Sequence, residues 1–307
     1  MSSNLAEKIT SPETAVPAVP KKRKSKKNRQ GKEIWRRYKK STPAMIGLVL
    51  MVFVIFIAIF ADVICPYSDC VTQHISERLT GPSLHHWFGQ DEYGRDEFAR
   101  IIHGSRSSLW IGVSSSVLSM IIGGFLGAIA AFYGKAVDNI IMRVTDVVMT
   151  VPPILLSLAV VAALGASMTN LLIALTISCI PSMVRMVRSV VIGLTDEEYV
   201  EAARSYGASD LRIIFRYIIP NSMGPIIVTL TMNIATMILS ASGLSYLGMG
   251  VQPPSPEWGA LLSDAESFMF SAPYLLYIPG IFIVIAALGF NLVGDGISDA
   301  FDPKLKD

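Results

Sequence analysis

Five long windows of this chain contain no Asp, Glu, Lys or Arg: residues 41–61, 107–134, 147–184, 217–256 and 267–294. Other absences narrow the chemistry. No Gly-x-x-x-x-Gly-Lys-Ser/Thr loop occurs, so the chain does not bind nucleotide by a P-loop. No Ser, Cys or His constellation suggests a nucleophile, and no His-Glu-x-x-His run suggests a metalloprotease. The chain has no Asn-x-Ser/Thr acceptor and only three cysteines. Cys65 and Cys70 are near enough in sequence for a disulfide, but proximity is all that suggests one. The apolar windows also lack the midplane carboxylate or base that a proton- or sodium-coupled transporter usually keeps. That argues against self-contained secondary transport and for energy supplied from outside the chain.

What is present is apolar mass in runs. Of 307 residues, 51% are hydrophobic, and the mean hydropathy is +0.49. This reads as an all-α polytopic membrane protein. A bilayer core of about 30 Å needs about 20 apolar residues per helix, and backbone in lipid must pair internally. The windows predict six transmembrane helices, near 44–64, 107–133, 144–164, 169–192, 221–247 and 273–295. The predicted segments are a basic disordered tail (1–34), the first helix with an outside loop (35–106), a core of five helices (107–296) and a C-terminal tail (297–307).

Lys and Arg set the orientation. With the N-terminal tail inside, inside segments hold 22 of the 26 basic residues. Both termini are therefore expected to be cytoplasmic. The run from Lys21 to Arg29 has the composition of a nucleic-acid signal, but beside a membrane helix it reads as a topogenic tail drawn to anionic lipid, with no nucleic acid as partner. The four histidines all fall in the outside loop without metal-ligand spacing, so no metal is expected. Arg143 and Asp146, three apart on a helix, are expected to pair, and are candidates for a gate. Asn233 either lines a polar pathway or bonds across helices. Gly123 and Gly127 form a small-xxx-small pattern that permits close helix approach. Pro152-Pro153 should kink a helix or mark where it enters the bilayer.

One polar stretch interrupts the apolar windows. From Glu198 to Asn221 the residues predict helix, a bend at Gly207, then helix. Such a knob, held between two spans on the cytoplasmic side, is where a soluble partner can push.

Glu201-Ala202-Ala203, then Gly207 after three intervening residues and Ile219-Pro220 further on, resemble the "EAA" loop of permease subunits of ATP-binding-cassette (ABC) importers. Tyr217 and Ile219 stand where that pattern has Ile and Leu. Three further stretches are similar to the C-type permeases of dipeptide, oligopeptide and nickel importers. They are Phe88 to Asp96 (Phe-Gly-Gln-Asp-Glu-Tyr-Gly-Arg-Asp), Gly243 to Gly250 with Pro253-Pro254 and Trp258-Gly259, and Gly294 to Pro303.

The resemblance implies a type I ABC importer permease fold with a cytoplasmic coupling helix within 197–217. It implies no catalytic activity and no cofactor in this chain, since ATP and Mg would sit on partner ATPases. The implied partners are a homologous B-type permease, two cytoplasmic ATPases, an extracellular peptide-binding protein and membrane lipids, in a bacterial cell membrane. It assigns ATPase coupling to Glu201, Ala202, Ala203, Gly207, Ala208, Asp210, Arg216 and Pro220. Gly89, Asp91, Gly94, Arg95 and Asp96 form an outside-loop motif. The implied cargo is a di- or oligopeptide. Import of nickel or another small solute is the alternative, and a membrane scaffold that docks a soluble partner is the alternative from another class.

Overall fold

The computed structural model describes residues 33–301. The expected basic tail, almost all of 1–34, and residues 302–307 of the expected C-terminal tail lie outside the described residues. The architecture follows from one constraint: backbone polar groups among apolar side chains must find partners within their own helix. Among the described residues no strand forms, and a single bridge joins Gln90 and Asp96.

Helix α1 (Thr42–Ile59) starts where Ser41 accepts a hydrogen bond from the Ala44 N–H, with Pro43 in the first turn. Two short turns, Ala61–Ile64 and Tyr67–Val71, lead into the loop before α2. Helix α2 (Glu97–Tyr133) runs 37 residues, about 55 Å. It runs from the residue after Asp96 through the second apolar window as one rod, so part of the expected outside loop is helix. Gly123 and Gly127 let α2 lie against α5 (Met168–Thr195): a Cβ at Gly127 would fall 2.5 Å from the Val184 carbonyl oxygen.

The third span departs from expectation. Helix α3 (Lys135–Met149) and helix α4 (Pro153–Leu164) meet at an 81° bend. The break sits at Pro152-Pro153, where ring sterics and a missing N–H end the first helix. Helix α4 is only 12 residues, about 18 Å, too short to cross alone. Among the described residues, five helices are long and apolar enough to cross a membrane, or six if the bent pair counts as one span.

After α5 come the short helices α6 (Glu198–Ser205) and α7 (Asp210–Ile213). Helix α7 passes through a π turn at Ile214–Ile218 into α8 (Ile219–Tyr246). Helix α9 (Trp258–Ala265) leads to α10 (Tyr274–Phe301), which continues five residues past the expected boundary at 296. Two buried clusters hold the bundle. One joins α2, α4, α5, α8 and the α6–α7 knob, and the other joins α1, α2, α8, α9 and α10. Ile46, Val49 and Phe56 of α1 stay exposed, as a lipid-facing helix requires.

Candidate coupling and translocation site

The knob is built by local rules. Helix α6 ends in a Schellman motif: the Ala208 N–H donates to the Ala203 carbonyl at 3.1 Å, and the Gly207 N–H to the Arg204 carbonyl at 2.9 Å. This motif needs a left-handed residue, and Gly207 supplies it at φ +74°. Ala203 is buried and Ala208 half-buried against the same cluster, the apolar contact that accompanies such a turn. Val200, Ala203, Ile213, Ile214 and Ile218 seat the knob beside Phe132 of α2 and Val187 and Val191 of α5. Arg204 lies over the Phe132 ring at 5.0 Å, and Phe215 stacks on Phe125. The opposite face is free of the bundle: Glu201, Ala202, Asp210 and Arg216 are exposed, and Tyr206 is 91% exposed. Pro220 is exposed in the first turn of α8. Tyr217, the departure from the "EAA" pattern, lies inside the π turn, half-buried against the cluster, with its carbonyl accepting from Asn221.

Arg143 and Asp146 do not pair. Asp146 instead meets Arg185 of α5 at 2.5 Å, and Asp138 meets Arg188 through two bonds. The reason is geometric: the 81° bend at Pro152-Pro153 leaves α3 against α5, so the carboxylates find cations on another helix rather than three residues away. Asn233 bonds across helices and also faces a small cavity. From the midpoint of α8 its amide donates to Ser116 of α2 at 3.2 Å and also meets Cys179 of α5. It also lines a cavity of about 160 Å³ between α4, α5 and α8, with Ser157, Ser178, Ser182, Thr236 and Ser240.

At the other end of the bundle, the outside-loop motif is a charge cluster. Asp91 accepts from the Tyr93 and Arg95 N–H groups at 2.9 Å, from the Arg95 guanidinium at 2.6 Å and from Arg100. Arg100 also donates to Asp264 at 3.1 Å. Asp91, Arg95 and Arg100 are buried. Gly89 and Gly94 turn the chain with positive φ, and Asp96 caps α2 by accepting from the Ala99 N–H. Burial, then the charge of Asp264, raises the Glu92 carboxyl above its ordinary range. Cys65 and Cys70 are buried free thiols, so the disulfide that their spacing allowed is not formed. Among the described residues no His, Cys, Asp and Glu group has the grouping of a metal site.

Residues 123–307 match the family described as the binding-protein-dependent transport system inner membrane component. The chain belongs to that family. Residues 29–82 of the permease match the N-terminal TM domain of oligopeptide transport permease C. The dipeptide transport system permease protein of Alkalihalophilus pseudofirmus is 46% identical over 274 residues, 89% of this chain and 90% of that protein. The glutathione transport system permease protein of Pectobacterium atrosepticum is 44% identical over 275 residues, 89% of this chain and 91% of that protein. An inward-facing structure of the MetNI methionine ABC transporter shares the fold, with a TM-score of 0.55 at 16% identity, covering 65% of this chain and 94% of that one. The permease is therefore a non-enzymatic, multi-pass inner-membrane subunit of an ABC importer, with ATP hydrolysis on separate subunits. Its family works with another permease, ATPases and a binding protein.

Some of the permease's structural residues carry no local sequence signal. Asp264 joins Arg100 across 164 positions. Glu257, fully buried, accepts from Ser108 at 2.9 Å and caps α9, while the Trp258 indole donates to the Ile101 carbonyl at 3.0 Å. The Trp258-Gly259 pair is thus a packing joint between α2, α8 and α9. A Cβ at Gly259 would fall 2.3 Å from the Ser242 carbonyl oxygen.

Proposed function

We propose that this chain is the C-type permease of an ATP-driven importer of di- or oligopeptides, forming half of the translocation pathway beside a homologous B-type permease. Both termini and the α6–α7 knob lie on the cytoplasmic side, where 22 of the 26 basic residues then fall. The knob seats in one of two cytoplasmic ATPases, and closure of the ATPases moves it. An extracellular binding protein delivers the peptide. The observation that carries this reading is the knob itself. It is fastened to α2 and α5 by its apolar face and turned by Gly207, and it presents Glu201 and Tyr206 to solvent in a chain without a nucleotide loop. The dipeptide and glutathione relatives support a peptide cargo over nickel.

Glu201→Arg, placed on the exposed face, should leave the permease in the membrane. It should abolish peptide uptake and the rise in ATPase activity that the binding protein causes, with Gly207→Trp acting the same way. If both activities survive both changes, the coupling assignment is wrong.

A further inference from the structure

The cavity beside Asn233 has a composition that selects among cargoes. No Asp, Glu, Lys, Arg or His lines it. Its polar wall is mostly hydroxyls, and those of Ser157, Ser178, Ser182 and Thr236 commit their protons to helix carbonyls. Ser182 donates to the Cys179 carbonyl at 2.7 Å, Ser178 to the Leu175 carbonyl at 2.9 Å and Thr236 to the Met232 carbonyl at 3.3 Å. Ser157 donates to the Pro153 carbonyl at 3.0 Å and also meets Ser178 at 2.8 Å. A hydroxyl has one proton and two lone pairs, so what remains for a solute is acceptor capacity. The Asn233 amide donates to Ser116, and its oxygen, which accepts from Cys179 at 3.4 Å, keeps one lone pair as a further acceptor. The cavity lies halfway along α8, and Ser182 and Thr236 on its wall are exposed.

We propose that this cavity is a solute-binding notch of the translocation path, and that it recognises peptides by their backbone N–H groups and α-ammonium through uncharged acceptors. The proposal rests on the peptide-importer reading and deepens it. Uncharged acceptors suit a path that must pass many side chains, because backbone N–H groups are common to all peptides and no fixed charge holds any of them tightly. A transition metal such as nickel would find neither imidazole nor thiolate wall chemistry beyond the single Cys179.

Cys179 lines the notch and reports its occupancy. Membrane vesicles carrying the assembled importer are treated with N-ethylmaleimide, and alkylation at each cysteine is measured by mass spectrometry. Trialanine should slow Cys179 alkylation by about tenfold, the scale of one or two neutral hydrogen bonds. Trialanine with both peptide nitrogens methylated should protect far less. Ser182→Ala combined with Ser240→Ala should remove the protection while partner subunits still co-purify. Equal protection by both peptides overturns the proposal, as does no protection, or a Cys179 that never reacts. Uptake of labelled trialanine by intact cells separates the two levels. Uptake without protection sinks the notch alone, whereas no uptake of any peptide sinks the importer reading with it.

Discussion

Gly207 shows how one residue sets the geometry of the knob. A Cβ there would meet nothing within 4 Å, so space does not demand glycine; the backbone at φ +74° does. Substitutions should rank by their cost in the left-handed region, roughly 1 kcal/mol for Ala, less for Asn and more for Val. Binding-protein-stimulated ATPase activity should fall in the order Asn, Ala, Val, and equal activity of Val and Asn would refute the assignment. Asp91 is a second such residue. Asp91→Asn leaves Arg95 and Arg100 buried with less negative charge, at a cost of about 3–5 kcal/mol, readable as a lower melting temperature in detergent. Glu92→Gln should instead be neutral or stabilising. The folded state disfavours the ionised Glu92, so whatever this group contributes is present at low pH and lost as pH rises through its raised pKa. The cysteines make a third case. Burial, then the carboxylate of Asp69, pushes the Cys65 thiol up to about 11, and burial pushes Cys70 up to about 12. At neutral pH both should resist alkylation in the folded permease and react quickly once it is unfolded in denaturant.

Among the elements, α3 is tied to its neighbour by charge. Its Val137, Ile140, Val144 and Val147 form an exposed apolar stripe, while Asp138 and Asp146 tie its other side to Arg188 and Arg185 of α5. Partly exposed pairs contribute little to global stability, typically about 0.2–1 kcal/mol each. Neutralising both with Asp138→Asn and Asp146→Asn should therefore barely move the melting temperature. Amide hydrogen exchange over residues 135–149 should rise while the rest of the bundle stays protected. Exchanging the charges of one pair, Asp138→Arg with Arg188→Asp, should restore part of that protection. Unchanged exchange in the double Asn variant would show that packing alone holds α3. The knob, by contrast, should not respond, since its seat on Phe132, Val187 and Val191 is apolar.

For the molecule as a whole, the charge-free windows located five helices long enough to cross among the described residues, and Pro152-Pro153 marked the break of the bent pair. They could do so because a span is a local property: twenty apolar residues are costly to leave in water, and helix satisfies their backbone without help from elsewhere. The bend at Gly207 was legible for the same reason, as its hydrogen bonds close within six residues. Partners distant in the chain were not. Whether Asp146 would meet Arg143 or Arg185 depended on how far Pro152-Pro153 turned α3, and a proline marks a break without stating its angle. Whether Asn233 would bridge helices or face a cavity depended on where α4 and α5 stood around it, and it does both. The Asp91–Arg100–Asp264 cluster likewise joins residues that read separately as a turn, a helix face and an acidic loop. By itself the sequence determined where the apolar helices and the polar knob lie along the chain, because those depend on neighbours along the chain. Only the tertiary structure decided which charges pair, which cysteines stay free and where the polar cavity opens, because those depend on neighbours in space.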